Sequence, residues 1–154
     1  MPQLPLQLIP APLAGHPHQA VEGSATETGV LRLANDVDLS TVDLHRVERI
    51  ELNFPKFTDG RAFSQAWWLR RRHGFKGDLR ACGDVRVDQL QQMARSGFSS
   101  AVLIGGEDLA LGEKLLSRFN GFYQGDALQA QPHFQPPTGQ AAPTAHPSTP
   151  GAPA

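Results

Sequence analysis

A single cysteine in 154 residues leaves the chain unable to build an internal disulfide, a paired redox dithiol or a cysteine-ligated zinc site. Charge of neither sign dominates: 14 Lys and Arg face 15 Asp and Glu, for a net of -1. That balance supplies no basic footprint for nucleic acid or for an anionic membrane surface. No apolar run approaches the ~20 residues needed to cross a bilayer. Residues 1–21 hold neither Lys nor Arg, and Pro2, Pro5, Pro10, Pro12 and Pro17 interrupt them. A secretory signal needs a basic start and an unbroken apolar segment, so none is expected, and the reducing cytoplasm is the expected compartment. A glycine-rich phosphate loop, a GxGxxG fingerprint, an HExxH helix and a nucleophile elbow are all missing. The residues therefore name no cofactor and no metal.

Proline and glycine are plentiful, at 13 and 15, and many lie outside the middle of the chain. Residues 1–28 read as a disordered, proline-rich segment. Residues 125–154 read as a disordered Pro/Ala-rich tail, because 127–154 carry no charge and too little apolar surface to offset the entropy of ordering. His133 and His146 lie in that tail without the close spacing a metal site requires. One domain, residues 29–124, remains.

Within it a strand–helix pattern recurs. Residues 47–54 alternate apolar with polar side chains, as a half-buried strand does, and 79–83 and 101–104 form two more short strands. Helices are expected over 61–73, 86–96 and 107–119. The first places Ala62, Phe63, Ala66, Trp67 and Leu69 on one face; the second, Val87, Leu90, Met93 and Ala94; the third, Leu109, Gly112, Leu115, Leu116 and Phe119. A further short strand over 29–34 and a helical turn over 38–45, with Ser40 or Thr41 near its start, precede them. The fold class is α/β: a small open parallel sheet of three to four strands with right-handed crossovers, like a fragment of a barrel. So small a sheet leaves one face poorly covered, which points to docking on a partner or on a second copy.

In a parallel sheet the loops that follow the strands share one edge, and each leads into the amide-rich start of a helix. Lys56, Thr58, Arg61 and Arg86 on those loops suit an oxyanion such as sulfite, sulfate, phosphate or a carboxylate. Asp59 and Asp84 are the candidate acid or base. A second role is open to the same residues: Asp59 or Thr58, and Asp84, stand where N-caps belong, a task that needs no ligand. Arg70, Arg71 and Arg72 read as solvated charge at a helix end, complementing its dipole. Trp68 falls opposite the apolar stripe, where it either stacks on Arg72 or anchors an interface. Cys82 reads as a small buried hydrophobe of unsettled reactivity. His45 and His73 lie on the edge opposite the loops.

The run Phe54-Pro55-Lys56-Phe57-Thr58-Asp59-Gly60-Arg61-Ala62-Phe63-Ser64 resembles the signature of a bacterial family, number nine-three-four of the domains of unknown function. The likeness continues through Leu69-Arg70, residues 74–81, Gly83-Asp84-Val85, Asp88-Gln89-Leu90 and Gly97-Phe98 to Tyr123-Gln124. Members are often labelled probable oxidoreductases involved in sulfite reduction. The resemblance implies a place beside sulfite reductase and carries no catalytic mechanism with it. Relatives often have a cysteine before the Gly-Phe pair, where this chain has Ser96. Two roles follow as expectations. One is an accessory protein that binds the reductase or its electron donor, with Trp68 and Arg72 at the interface. The other is a small oxidoreductase holding an oxyanion on the loop edge. Among the matched residues, Arg80 is expected to pair with an acid beside the sheet, and Gln89 to tie the second helix to a loop.

Overall fold

The computed structural model describes residues 6–11, 29–119 and 122–131. Five parallel strands form one sheet: β1 (Gln7–Ile9), β2 (Val30–Leu33), β3 (Arg49–Phe54), β4 (Asp78–Gly83) and β5 (Ser100–Val102). Their order across the sheet is β1-β5-β4-β3-β2, which makes β4 the central strand. The α/β class and the open parallel sheet agree with the sequence reading, but the strand count exceeds it by one. The extra strand, β1, comes from the segment read as disordered and pairs with β5 through Gln7, Leu8 and Ile9. Three residues among prolines are too short a run to show alternation.

From β2 to β5 the chain steps along the sheet in one direction, so right-handed crossovers stack every connection on the same face. Helices α1 (Arg61–Arg71), α2 (Leu90–Ser96) and α3 (Leu109–Ser117) lie there side by side. In-register partners share a face, so Ile50, Leu52 and Phe54 of β3 meet the helices together with Leu79 and Ala81 of β4. Phe54, Phe63 and Phe98 close this core, with centroids 5.0 Å apart for the first pair and 5.8 Å for Phe54 and Phe98. The segment 122–131 packs at the far ends of α1 and α2. Ala127, within the stretch read as a disordered tail, is buried; its N–H donates to the Arg95 carbonyl, and Arg95 lies over the Phe122 ring.

The buried stripe of α1 is Ala62, Gln65, Ala66 and Leu69. Trp67, assigned to that stripe from its hydrophobicity, is instead 46% exposed. Spacing decided the matter: 62, 65, 66 and 69 follow the i, i+3, i+4, i+7 template, and Gln65 Nε2 donates to the Ala34 carbonyl at 2.9 Å, while its buried Oε1 has no partner among the described residues. Phe119, assigned to the apolar face of the third helix, is exposed beyond the end of α3.

No described helix packs on the opposite face, and that face is polar. Arg49, Glu51 and Asn53 of β3 line it beside Asp78, Arg80 and Cys82 of β4. Glu51 pairs with Arg32 at 2.9 Å; Asp78 pairs with Arg80 at 3.0 Å and with Arg49 at 3.3 Å, and it accepts from the Ser99 and Ser100 hydroxyls. The expected pairing of Arg80 with an acid is thus present. Burial pushes the Asp78 carboxyl up, but the two hydroxyl bonds and the Arg80 and Arg49 charges outweigh it, leaving it below the ordinary range. A depressed carboxyl contributes stability that is fully present above its unfolded value, near ~3.9, and is lost as pH falls through its folded value. The gap in denaturant midpoint between wild type and Asp78→Asn is therefore expected to be constant above about pH 5 and to close below it. Urea titrations across that range check this; a gap that widens in acid would contradict it.

Candidate functional site

The three loops leaving β3, β4 and β5 do share a rim, and they are bonded to one another. Gly83 makes the approach close: its φ is +98°, and a Cβ there would meet the Phe54 carbonyl oxygen at 2.3 Å. Asp84 N donates to that same oxygen at 2.8 Å. The Asp84 carboxylate then accepts from the Phe57 N–H at 3.0 Å through Oδ2 and from Arg86 Nε at 3.0 Å through Oδ1. Arg86 lies 5.9 Å from the centroid of the Phe57 ring and 3.7 Å from Glu107. Gln89 Nε2 donates to the Phe57 carbonyl at 3.2 Å, the tie between second helix and loop that the sequence suggested.

Asp84 is not an N-cap. The chain enters α2 through a 3-10 turn (Val87–Gln89), so the expected helix start slips by several residues and Asp84 is left to bind across the loops. The amide of Val87 at that start is taken by Glu107 at 3.0 Å. Glu107 was not singled out from the sequence, since its partners lie 20 residues away and only the fold brings them together.

Asp59 belongs to a second group, on the β2 side of the rim. Gly60 holds the N-cap position of α1 and Asp59 stands one residue earlier, its Oδ1 accepting from Arg61 N at 3.2 Å. The Arg61 guanidinium grips the same carboxylate through Nε at 3.1 Å and Nη2 at 2.8 Å, and Asn35 Nδ2 donates to it at 2.6 Å. That Arg61 grip holds the Asp59 carboxyl well below the usual carboxylate range. Thr58 is exposed and makes no hydrogen bond among the described residues, so it does not cap α1. Lys56 is exposed and forms no ion pair among the described residues.

The rim thus gathers most of the residues named for it, yet their charges are spent on one another. Arg61 is held by Asp59 and Arg86 by Asp84, while α3 begins under its own cap, Asp108, whose Oδ1 accepts from Ala110 N at 2.9 Å. Each helix start that could draw an outside anion already faces a carboxylate of this chain. An arriving oxyanion would meet Asp59, Asp84, Glu107 and Asp108 against Lys56, Arg61 and Arg86.

Trp68 and Arg72 lie elsewhere, on the outer face of α1. The Arg72 guanidinium stacks over the Trp68 ring with 5.4 Å to the centroid, and Trp68 is 42% exposed. The expected stack on Arg72 is present in this pair. Trp67 beside it is exposed as well.

A family model described as bacterial protein of unknown function (DUF934) matches residues 30–134. The chain belongs to this family. No curated protein and no solved structure matches it. The DUF934 match spans the rim, α1 and the polar face of the sheet, and it leaves β1 outside. Among the described residues no helix is long and apolar enough to cross a membrane.

Proposed function

We propose that this DUF934 protein is an accessory factor of assimilatory sulfite reduction that binds the reductase or its electron donor and catalyses no step itself. One observation carries the accessory role: the first amides of the rim's helical segments are already bonded to the carboxylates of Asp59, Glu107 and Asp108, so the loop edge serves as a cross-linked structural seam. An exposed pair of tryptophans on a charged helix is the kind of surface that binding uses, with Trp and Arg the residues richest in binding energy. The pathway rests on the label that members of the family carry.

A knockout strain grown with sulfate as sole sulfur source provides the test. Cysteine auxotrophy relieved by sulfide but not by sulfite is the expected phenotype, and the tagged full chain should co-purify the reductase or its electron donor. Asp84→Asn separates this role from catalysis. Its amide oxygen still accepts from Phe57 N, while the charge facing Arg86 is gone. The variant should restore growth to the wild-type rate. A folded Asp84→Asn chain that fails to restore growth, or a wild-type chain that pulls down neither protein, would defeat the accessory reading.

A further inference from the structure

Charge is spread evenly over the chain as a whole but not over one segment of it. Between Asp59 and Asp78 the sequence carries Arg61, Arg70, Arg71, Arg72 and Lys76 and no acidic residue. Two of these cations are committed: Arg61 to Asp59, and Arg70 to the carbonyls of Gly97, Phe75 and Gly77. Arg71 donates to a backbone carbonyl, that of Asp126, at 2.5 Å, and Arg72 rests on Trp68. Neither forms an ion pair with a carboxylate among the described residues. Trp67 and Trp68 lie beside them, both more than 40% exposed.

We infer that the outer face of α1, with Trp67 and Trp68 flanked by Arg71 and Arg72, seats an acidic segment of a partner protein that also carries an apolar side chain. This deepens the binding role proposed above and rests on it. Charge complementarity selects the occupant. A second copy of the chain would set these arginines against their own copies, because a two-fold contact pairs a patch with itself. A nucleic acid would need several phosphate contacts to bind firmly, and one short helix on a chain of net charge -1 offers too few cations. A carboxylate-bearing protein surface supplies counter-charge for two guanidiniums and a non-polar cover for two indoles.

Ser64 is exposed one turn before Trp68 on the same face, so a photoreactive p-benzoylphenylalanine placed there leaves all four residues intact. Irradiation of cells expressing this full chain should give one cross-linked protein whose mapped peptide holds a cluster of Asp or Glu. The same group at Lys114, exposed on α3, should not give that product. Arg72→Glu is expected to lower the yield at least about tenfold, and Trp68→Ser to do the same, each with a wild-type thermal melt. A product mapping to a basic segment, to nucleic acid or to a second copy overturns the assignment, as does an undiminished yield from both folded variants. Should the unmodified chain capture the reductase or its donor while the α1 probe captures nothing beyond the Lys114 control, this inference fails and the accessory role stands. Should it capture neither, both fail.

Discussion

Arg70→Ala is expected to lower the thermal midpoint by roughly 12–24 °C. Arg70 sits in a run of three arginines that reads as solvated charge, yet its guanidinium turns inward. Nε donates to the Gly97 carbonyl at 2.8 Å, and Nη1 donates to those of Phe75 at 2.8 Å and Gly77 at 2.9 Å. The group also lies over the Phe75 ring, 5.8 Å from its centroid. It therefore clamps the end of α2 to the loop between α1 and β4. Bonds from a charged donor are worth more than neutral ones, and their loss together, with part of the site open to water, amounts to about 3 kcal/mol. In a domain near 100 residues each kcal/mol moves the midpoint by ~4–8 °C. Arg70→Lys should recover less than half of the loss, since a single ammonium lacks the planar fork that reaches three carbonyls. Thermal melts of both variants followed by circular dichroism check this; a wild-type melt for Arg70→Ala would mean that water replaces the clamp at no cost.

Gly97 belongs to the same clamp. It ends α2 with φ at +102°, and a Cβ there would strike Arg70 Cγ at 2.6 Å. Glycine after a helix was legible as a C-cap signal, and the central strands were legible from the alternation of Ile50, Leu52 and Phe54 with polar neighbours. These are local signals, within a few residues of their cause. What the sequence could not disclose is where a polar side chain spends its hydrogen bonds. Arg70 and Arg72 are two residues apart in one charge run, but one faces 27 residues along the chain to Gly97 and the other faces solvent over Trp68. The loops proved to share a rim, as strand order dictates, whereas the saturation of that rim depends on Glu107 reaching Val87 and Asn35 reaching Asp59. Position on an edge followed from topology; availability for a ligand followed from partners that no spacing rule names.

Ellman's reagent should react with native Cys82 at least about a thousandfold more slowly than with the same thiol in denaturant at mildly alkaline pH. The thiol lies on the central strand β4, 3% exposed, on the polar face of the sheet. Burial pushes it up to about 12, Glu51 adds to the rise, and the Arg80 and Arg32 charges only partly offset them. Near pH 8 such a thiol is thiolate in only about one molecule in ten thousand, against roughly a quarter for a free cysteine. The thiolate is the nucleophile, so disulfide exchange and thiol redox chemistry are closed to it until the sheet opens. The consequence for function is direct, because Cys82 is the chain's sole cysteine. Cys82→Ala should restore growth of the knockout on sulfate at the wild-type rate, with a stability loss near 1 kcal/mol for the small space left behind. Rapid labelling of the native chain, or a folded Cys82→Ala protein that leaves the strain auxotrophic, would return a thiol mechanism to consideration and count against a purely accessory role.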